Sequence, residues 1–179
     1  ITVIPTGEYA NNYKNAIITY TVGNIKTVTV NKPTSDICYD LSYNGNSQEL
    51  ARVNEAYKLV NNSGIEIGTY TVTARLNYGY IWHDKTTENV EFNCQIKIPK
   101  PLITYKNAIC NPQNFNVTYN KMYGEGQNLC IPTKTGYTFD GWYSDSKLTQ
   151  EITNNTVVTN FNDHNLYAKW IAKKYIISF

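Results

Sequence analysis

The sequence is poor in charge and in the residues that bind nucleic acid. Only 17% of its 179 residues are Asp, Glu, Lys or Arg, against roughly 25% in an average globular domain. It has two arginines, Arg52 and Arg75, and its lysines are scattered along the chain, for a net charge of +2. Nucleic-acid-binding proteins usually cluster Lys and Arg on one face. The composition therefore argues against a nucleic-acid partner.

Motifs that perform chemistry are also missing. Neither His83 nor His164 stands in a metal-ligand spacing such as HExxH, and the sequence contains no GxSxG elbow, P-loop or Rossmann glycine pattern. The acidic residues are few and dispersed, which favours solvated carboxylates over the converging pair that a glycosidase needs. We therefore predict that the protein is not an enzyme and requires no metal or cofactor.

Long hydrophobic runs are absent as well. No stretch approaches the roughly 18 consecutive apolar residues of a membrane-spanning helix, so we predict no direct membrane insertion. No charged-then-apolar signal peptide begins at Ile1. The chain opens instead within an alternating, strand-like phrase, ITVIPTGEY, which indicates a segment of something longer.

What the sequence does contain is typical of β-structure. It has 24 Asn, 21 Thr and 16 Tyr, and Thr and Tyr favour strands whereas Asn favours turns. Residues 69–76 and 90–98 alternate between apolar and polar side chains, as half-buried strands do. Asn44-Gly45 is a turn signal between two short apolar runs. We predict a mainly all-β protein with at most one short helix, one or two turns long, in SDSKLTQEI from Ser144 or Asp145.

The four cysteines allow two interpretations. No CxxC pair is present, so a structural zinc site is disfavoured, and two disulfides in an exported protein compete with buried free thiols. Chain order suggests the pairs Cys38–Cys94 and Cys110–Cys130. One pattern argues against the first pair: Cys94 shares the apolar face of VEFNCQIKI, whereas Cys38 alternates against its apolar neighbours in ICYDLSY. Cysteines on opposite faces cannot be bridged without a bulge or a strand end.

Prolines and an internal echo suggest how the chain divides. AIITYTVGNIKTVTVNKP and NVEFNCQIKIPKP are both alternating strands that end in a Lys-Pro link. Pro33 and the Pro99-Lys100-Pro101 stretch predict short, stiff linkers, with small contacts between the modules they join. We expect residues 1–30 to be the closing strands of a preceding truncated repeat and residues 172–179 to be the start of a further repeat.

The phrase PTKTGYTFDGWYSD, followed later by NLYAKW, resembles the Listeria–Bacteroides repeat, also called the internalin B-repeat family, over about residues 111–170. The resemblance implies a small β-grasp-like module, drawn here at residues 101–171. Members occur in tandem in large bacterial surface and secreted proteins, which implies an extracellular location and neighbouring repeats of the same chain as partners.

The segment before it is similar to bacterial immunoglobulin-like repeats of the MBG type. The similarity rests on LSYNGNSQEL, GTYTVTARLNYGYIWHD and TTENVEFNCQIKI. It implies an immunoglobulin-like β-sandwich over residues 31–100, in the same class of multidomain surface proteins.

The phrase TGYTFDGWY has two candidate roles, a core element or an exposed aromatic platform. Strict alternation places Phe139 and Trp142 on opposite faces, and the two glycines suggest close packing of a ring over bare backbone. A module of about 60 residues needs large rings for its core, so the core role is favoured, with one half-exposed ring as the remaining alternative. The predicted core aromatics are Tyr137, Phe139, Trp142, Tyr167 and Trp170.

Two functions remain after these exclusions. The first is a non-catalytic spacer or stalk in adhesion. The second is a module that binds carbohydrate or a host surface protein through exposed aromatic residues. Tyr78, Tyr80 and Trp82 crowd the loop phrase NYGYIWHD, which makes them the candidate ligand contacts, although a core-facing loop edge would show the same alternation.

Overall fold

The structure is a computed structural model that describes residues 27–177. Most of the truncated repeat expected at residues 1–30 lies outside this range, because residues 1–26 are not described. Residues 178 and 179, the end of the repeat expected at 172–179, also lie outside it. Residues 173–177, which belong to that expected repeat, form no strand. None of the helices in the described range is long and apolar enough to span a membrane.

The described chain is all-β, as the composition predicts. Its one helical element within residues 27–177 is a single 3-10 turn at Ser35–Ile37. The strands, in chain order, are β1 Val28–Val30, β2 Leu41–Ser42, β3 Gln48–Glu49, β4 Tyr57–Val60, β5 Ser63–Gly64, β6 Gly68–Leu76, β7 Tyr80–Trp82, β8 Val90–Lys97, β9 Leu102–Lys106, β10 Asn114–Asn116, β11 Tyr137–Tyr143, β12 Glu151–Ile152 and β13 His164–Ala172.

The N-terminal part, residues 27–98, is built on a four-stranded sheet in the order β2-β8-β6-β4. The two predicted alternating strands form its centre, where β6 and β8 pair antiparallel without interruption from Gly68↔Ile96 to Ala74↔Val90. Two small sheets complete this part: β1 with β7, which are parallel, and β3 with β5, which are antiparallel. The strand Val28–Val30 therefore pairs within this part of the molecule.

The N-terminal core joins the four-stranded sheet to the segments that cover it. Because the strands alternate, β6 and β8 direct one set of side chains inward, and these meet buried residues from the loop after β3 and from β7. The buried residues of this core are Leu50, Ala51, Ala56, Tyr57, Val72, Ala74, Trp82, Phe92, Cys94 and Ile96.

The C-terminal part, residues 99–177, has a five-stranded sheet in the order β10-β9-β13-β11-β12. The long strand β13 lies in the middle, parallel to β9 and antiparallel to β11. The predicted strand at 137–143 and the closing LYAKW strand are thus direct neighbours. Its buried residues are Ile103, Tyr105, Cys110, Phe115, Val117, Tyr123, Leu129, Trp142, Val158, Leu166 and Ala168.

A β-bulge in β11 overturns the predicted strict alternation. Phe139 pairs with Trp170, but the next pair is Gly141 with Lys169, so Asp140 is an extra residue with no ladder partner on β13, although its carboxylate forms a salt bridge with Lys169. After this insertion the strand faces are exchanged. Phe139 and Trp142 therefore lie on the same face, with their ring centroids 5.4 Å apart.

The two glycines of TGYTFDGWY are required mainly by backbone conformation. A Cβ on Gly141 would meet Glu151 at 3.2 Å and the ring of Tyr143 at 3.7 Å. Gly141, at the bulge, has φ of +152°, and Gly136, in the turn before β11, has φ of +78°. Residues with a Cβ atom rarely adopt such backbone angles, so glycine is favoured at both positions. No heavy atom lies within 4 Å of a Cβ built on Gly136, which corrects the expectation of close ring packing there.

The predicted helix in SDSKLTQEI is not formed. Asp145 instead organises a loop, because its carboxylate accepts hydrogen bonds from the backbone N–H groups of Lys147, Thr149 and Gln150 at 2.9–3.0 Å. A carboxylate that satisfies backbone donors in this way competes with helical hydrogen bonding. The loop then leads into β12, at the sheet edge.

Candidate functional site

Each part of the chain contains one disulfide bond, and both follow the chain-order pairing. Cys38 and Cys94 have Cα atoms 5.6 Å apart, and Cys110 and Cys130 have Cα atoms 6.1 Å apart. The alternation argument against the first bond was wrong, because Cys38 is not within a regular strand. It follows the 3-10 turn and makes only an isolated bridge with Ala51, so its side chain is free to reach the core face of β8.

The three aromatic residues of NYGYIWHD do not form one exposed surface. Trp82 is fully buried, and its indole N–H donates to the carbonyl of Glu88 at 2.7 Å. Tyr80 is half-buried and packs against the same core. Only Tyr78, in the turn, is exposed, at 87%. The pairing of β7 with β1 directs alternate residues inward, which corrects the prediction that Trp82 contacts a ligand.

The five predicted core aromatics of the C-terminal part differ in their burial. Trp142 is buried, and its indole N–H donates to the carbonyl of Cys130 at 2.7 Å. Phe139 and Trp170 are partly buried and pack against the core. Tyr137 is 39% exposed, and Tyr167, which faces Tyr143 across the strands, is half-buried. The aromatic layer therefore passes from the core to the surface.

A surface groove lies where this layer reaches solvent. It has a volume of about 500 Å³, and its lining includes Ile131, Lys134, Tyr137, Phe139, Trp170 and Lys173. The ammonium of Lys134 lies over an exposed and a partly buried ring, 4.3 Å from the centroid of Tyr137 and 5.7 Å from that of Trp170. Ile131 beside them is 82% exposed. We call this the aromatic groove.

The aromatic groove is held in shape by hydrogen bonds on both sides. The indole N–H of Trp170 donates to the carbonyl of Asn107 at 2.9 Å, which fixes the orientation of that ring. The backbone N–H groups of Tyr137 and Lys173 donate to Lys134 and Gly136 at 3.1 and 2.8 Å. These hydrogen bonds hold the groove in one shape. Its lining contains two lysines and no acidic residue.

A second groove, of about 690 Å³, contains polar groups of the kind that enzymes use. The hydroxyl of Tyr123 lies 2.5 Å from Nε2 of His164, and Nδ1 of His164 lies 2.8 Å from the carbonyl of Asn162. A carbonyl only accepts, so Nδ1 carries the proton and Nε2 accepts from Tyr123. Burial raises the pKa of Tyr123 to about 12. Such a tyrosine stays protonated at neutral pH.

Asp145, one of the carboxylates that line this groove, is hydrogen-bonded to the backbone of its own loop. Asp145 accepts from the backbone N–H of Gln150 and from its other loop partners, and these hydrogen bonds hold its pKa below the ordinary value. These hydrogen bonds stabilise the loop. Asp145 and a second carboxylate, Glu151, line the same groove as His164. Within residues 27–177, no group of three or more His, Cys, Asp or Glu is placed to hold a metal ion.

The two parts of the molecule meet at a junction that the sequence did not predict. The ring of Tyr43, from the N-terminal part, stacks on Tyr119 at 5.4 Å and contacts the edge of Phe161 at 5.6 Å. Tyr119 and Phe161 contact each other at 6.0 Å. We call these residues the junction trio.

The linker itself is also paired. The N–H groups of Val117 and Tyr119 donate to the carbonyls of Pro101 and Pro99, each at 3.1 Å. These bonds continue the β9–β10 ladder backwards across the link. Proline cannot donate such bonds, but its carbonyl can accept them. The ring of Phe161 also lies beside the Asn44-Gly45 turn that follows Tyr43, 3.9 Å from a Cβ on Gly45, but a turn motif does not by itself predict this contact.

Comparison with known families bears on the C-terminal part. The sequence model of the Listeria-Bacteroides repeat domain family matches residues 103–169. The match confirms the resemblance to the Listeria–Bacteroides repeat drawn from PTKTGYTFDGWYSD and NLYAKW; it begins earlier than residue 111, so it includes most of β9. No curated protein matches the chain significantly.

Proposed function

We propose that the chain is a non-catalytic repeat segment of a large bacterial cell-surface or secreted protein, and that it acts as a spacer or stalk in adhesion. The family match supports a repeat module of a kind found in bacterial surface proteins. Two disulfides support an extracellular setting, because such bonds persist in oxidising environments. Residues 31–100 would then be the immunoglobulin-like module and residues 101–171 the internalin B-type module.

The observation that carries the proposal is the junction between the two parts. A spacer must keep its ends apart, and a flexible link between modules would let them fold back on each other. Here the link is held by backbone hydrogen bonds at Pro99 and Pro101 and by the stacked rings of the junction trio. Aromatic pairs are worth about 0.5–1.5 kcal/mol each beyond the area they bury. Two such contacts, of Tyr43 with Tyr119 and with Phe161, join the parts and favour one fixed arrangement.

Backbone ¹⁵N relaxation of the whole chain tests this function. A spacer segment should tumble as one body, so amides in β6 and β13 should report the same correlation time. The variant Tyr119→Ala should separate the two values, whereas Tyr78→Ala, which removes an exposed ring far from the junction, should not. Independent tumbling of the two parts in the unmodified chain would contradict the proposal.

A cell-binding assay tests the adhesion role from the other side. As a spacer, the isolated chain should not attach to host cells, because attachment is the task of another part of the parent protein. Attachment at low concentration, competed by unlabelled chain, would argue for a binding module instead.

The second function, binding of carbohydrate or a host surface protein, is favoured by one observation. The aromatic groove presents the rings of Tyr137 and Trp170 beside an exposed isoleucine, Ile131. Binding sites of this kind are concave, mostly apolar, and contain a few oriented polar groups. The groove, and not the loop around Tyr80 and Trp82, is where aromatic side chains are both clustered and accessible.

A further inference from the structure

The aromatic groove combines an aromatic floor with a positive charge. Its floor is formed by rings that continue the core outward, and its positive charge is fixed over those rings by Lys134. We propose that the groove binds an acidic carbohydrate, a sugar ring that carries a carboxylate. The inference rests on the second function above and names its ligand class.

The charge of the groove favours an anion. Lys134 and Lys173 both line it, and no acidic residue does. The salt bridges among residues 27–177 involve other lysines, so neither of these two is neutralised by a described carboxylate. A carboxylate placed against the Lys134 ammonium makes a charge-assisted hydrogen bond, which is stronger than one between neutral groups.

The position of the ammonium also distinguishes an acidic sugar from a neutral one. Nζ of Lys134 occupies the face of the Tyr137 ring at 4.3 Å. A neutral sugar that stacked on this face would first have to displace the ammonium and lose the cation–π contact. An acidic sugar keeps the lysine in place and binds to it, while its apolar face contacts Ile131 or the free part of Trp170.

The remaining lining suits a sugar better than an acidic peptide. Thr133, Thr135 and Thr138 supply hydroxyl groups that can donate to or accept from sugar hydroxyls. One edge of β11 pairs with β13 from Tyr137 to Phe139, and β12 pairs with the other edge only at Trp142 and Tyr143. A peptide that adds to a strand edge binds mainly through its backbone, whereas the groove itself offers side chains: a lysine ammonium, aromatic rings and threonine hydroxyls.

The test is an NMR titration of the whole chain with two matched pairs of oligosaccharides. Hyaluronan hexasaccharide is paired with chitohexaose, and sialyllactose with lactose; only the first of each pair carries carboxylates. We expect shifts at Lys134, Tyr137 and Trp170 with at least one acidic member and weaker or no binding of its neutral partner. Binding should weaken as salt is added, because exposed charges are screened.

Two variants locate the site, and two control for general effects. Lys134→Gln removes the charge but keeps a long polar side chain, and should weaken binding about tenfold or more, as for the loss of a hydrogen bond to a charged group. Tyr137→Ala should also weaken binding. Lys147→Gln and Tyr78→Ala remove an exposed lysine and an exposed tyrosine elsewhere, and should leave the affinity unchanged.

The outcomes separate the inference from the function on which it rests. Equal binding of neutral and acidic sugars, unaffected by Lys134→Gln but weakened by Tyr137→Ala, would overturn the acidic ligand and keep the groove as a binding site. No binding of any of the four oligosaccharides would overturn both. Binding that responds equally to the control variants would place the site elsewhere and also overturn the inference.

Discussion

The two parts of the molecule bury aromatic residues in different ways. In the N-terminal part, Trp82 is fully enclosed and contacts one other ring, Tyr57, at 5.7 Å. In the C-terminal part the rings follow one another: Tyr105 lies 4.4 Å from Trp142, and Phe139 contacts both Trp142 and Trp170 at about 5.5 Å. One core closes over its tryptophan, and the other extends a chain of rings to the surface.

The cause of this difference lies in strand register. The β6–β8 ladder is unbroken, so every second residue of these strands points towards the core. No inserted residue changes which side chains lie on that face. In β11 the bulge at Asp140 places two rings of one strand on the same face, three residues apart. Bulges are often found where a side chain is redirected towards a functional surface. The regular ladder of the N-terminal part encloses its core, whereas the bulge in β11 lets the packed rings of the C-terminal part continue to the surface.

Substitution of the two C-terminal tryptophans should separate the enclosed end of the ring chain from its open end. Trp142→Ala removes a buried ring and should destabilise the protein by about 3–5 kcal/mol. Trp170→Ala removes a partly exposed ring and should cost less, about 1–3 kcal/mol. Urea unfolding followed by circular dichroism measures both. Equal losses would mean that the ring chain is a closed core after all.

The disulfides sharpen the comparison at the next level of energy. Cys38–Cys94 closes a loop with a sequence separation of 56, and Cys110–Cys130 one of 20. In the chain-entropy model these bonds are worth about 4 and about 3 kcal/mol. The double Cys→Ala variants should therefore lower the stability of the N-terminal part more than that of the C-terminal part. The opposite order in thermal unfolding would show that the loops do not set the stabilisation.

Much of this fold could be predicted from local pattern, and the rest depends on distant contacts. Residues 69–76 and 137–143 alternate or contain strand-forming residues, and both form strands. The bulge at Asp140 was missed because one inserted residue does not change the composition of the strand. The nearest sequence signal is the glycine that follows, Gly141, whose φ is positive. Trp82 was assigned to a loop surface because its partner strand, β1, lies more than fifty residues earlier.

The candidate site was even less accessible to sequence reasoning. Lys134 stands in a polar turn phrase, and nothing local indicates that its ammonium lies over Tyr137 and Trp170. The junction was missed for the same reason, since the prolines at 99 and 101 predicted a stiff link with small contacts. The contact of Lys134 with Trp170 and the junction rings both join residues that are far apart in the chain.

The junction allows a test of whether the two parts are energetically separate. Tyr119→Ala removes stacking with Tyr43 and contact with Phe161, and should cost up to about 1.5 kcal/mol for each ring pair. Both cores stay intact, so the loss should appear as reduced coupling. We expect calorimetry to resolve two transitions in the variant where the parent shows one. A double-mutant cycle with Tyr43→Ala, which removes the partner ring of the N-terminal part, should give a non-zero interaction energy; strict additivity would mean that these two rings do not couple the parts.

The smallest effect concerns pH and one edge of the C-terminal sheet. Hydrogen bonds from the backbone N–H of Gln150 and its neighbours hold the folded pKa of Asp145 below its ordinary value of 3.8. A carboxyl whose folded pKa is lowered stabilises the folded state above its unfolded pKa, and this stabilisation is lost as pH falls through the folded pKa. Below about pH 4 the loop that leads into β12 should therefore loosen, while β6 and β8 keep their protection.

Hydrogen exchange of the Thr149 and Gln150 amides, measured across this range against amides of β8, follows the loss directly. Asp145→Asn keeps the shape but turns one acceptor oxygen into an NH₂ group, so it should already show fast exchange at neutral pH and little further change in acid. Glu91→Gln, an exposed carboxylate on β8, is the matched control and should behave like the parent. If the amides of β8 and of the loop instead lose protection together as the pH falls, Asp145 does not control the edge of the C-terminal sheet separately. The two parts would then not differ in their response to acid.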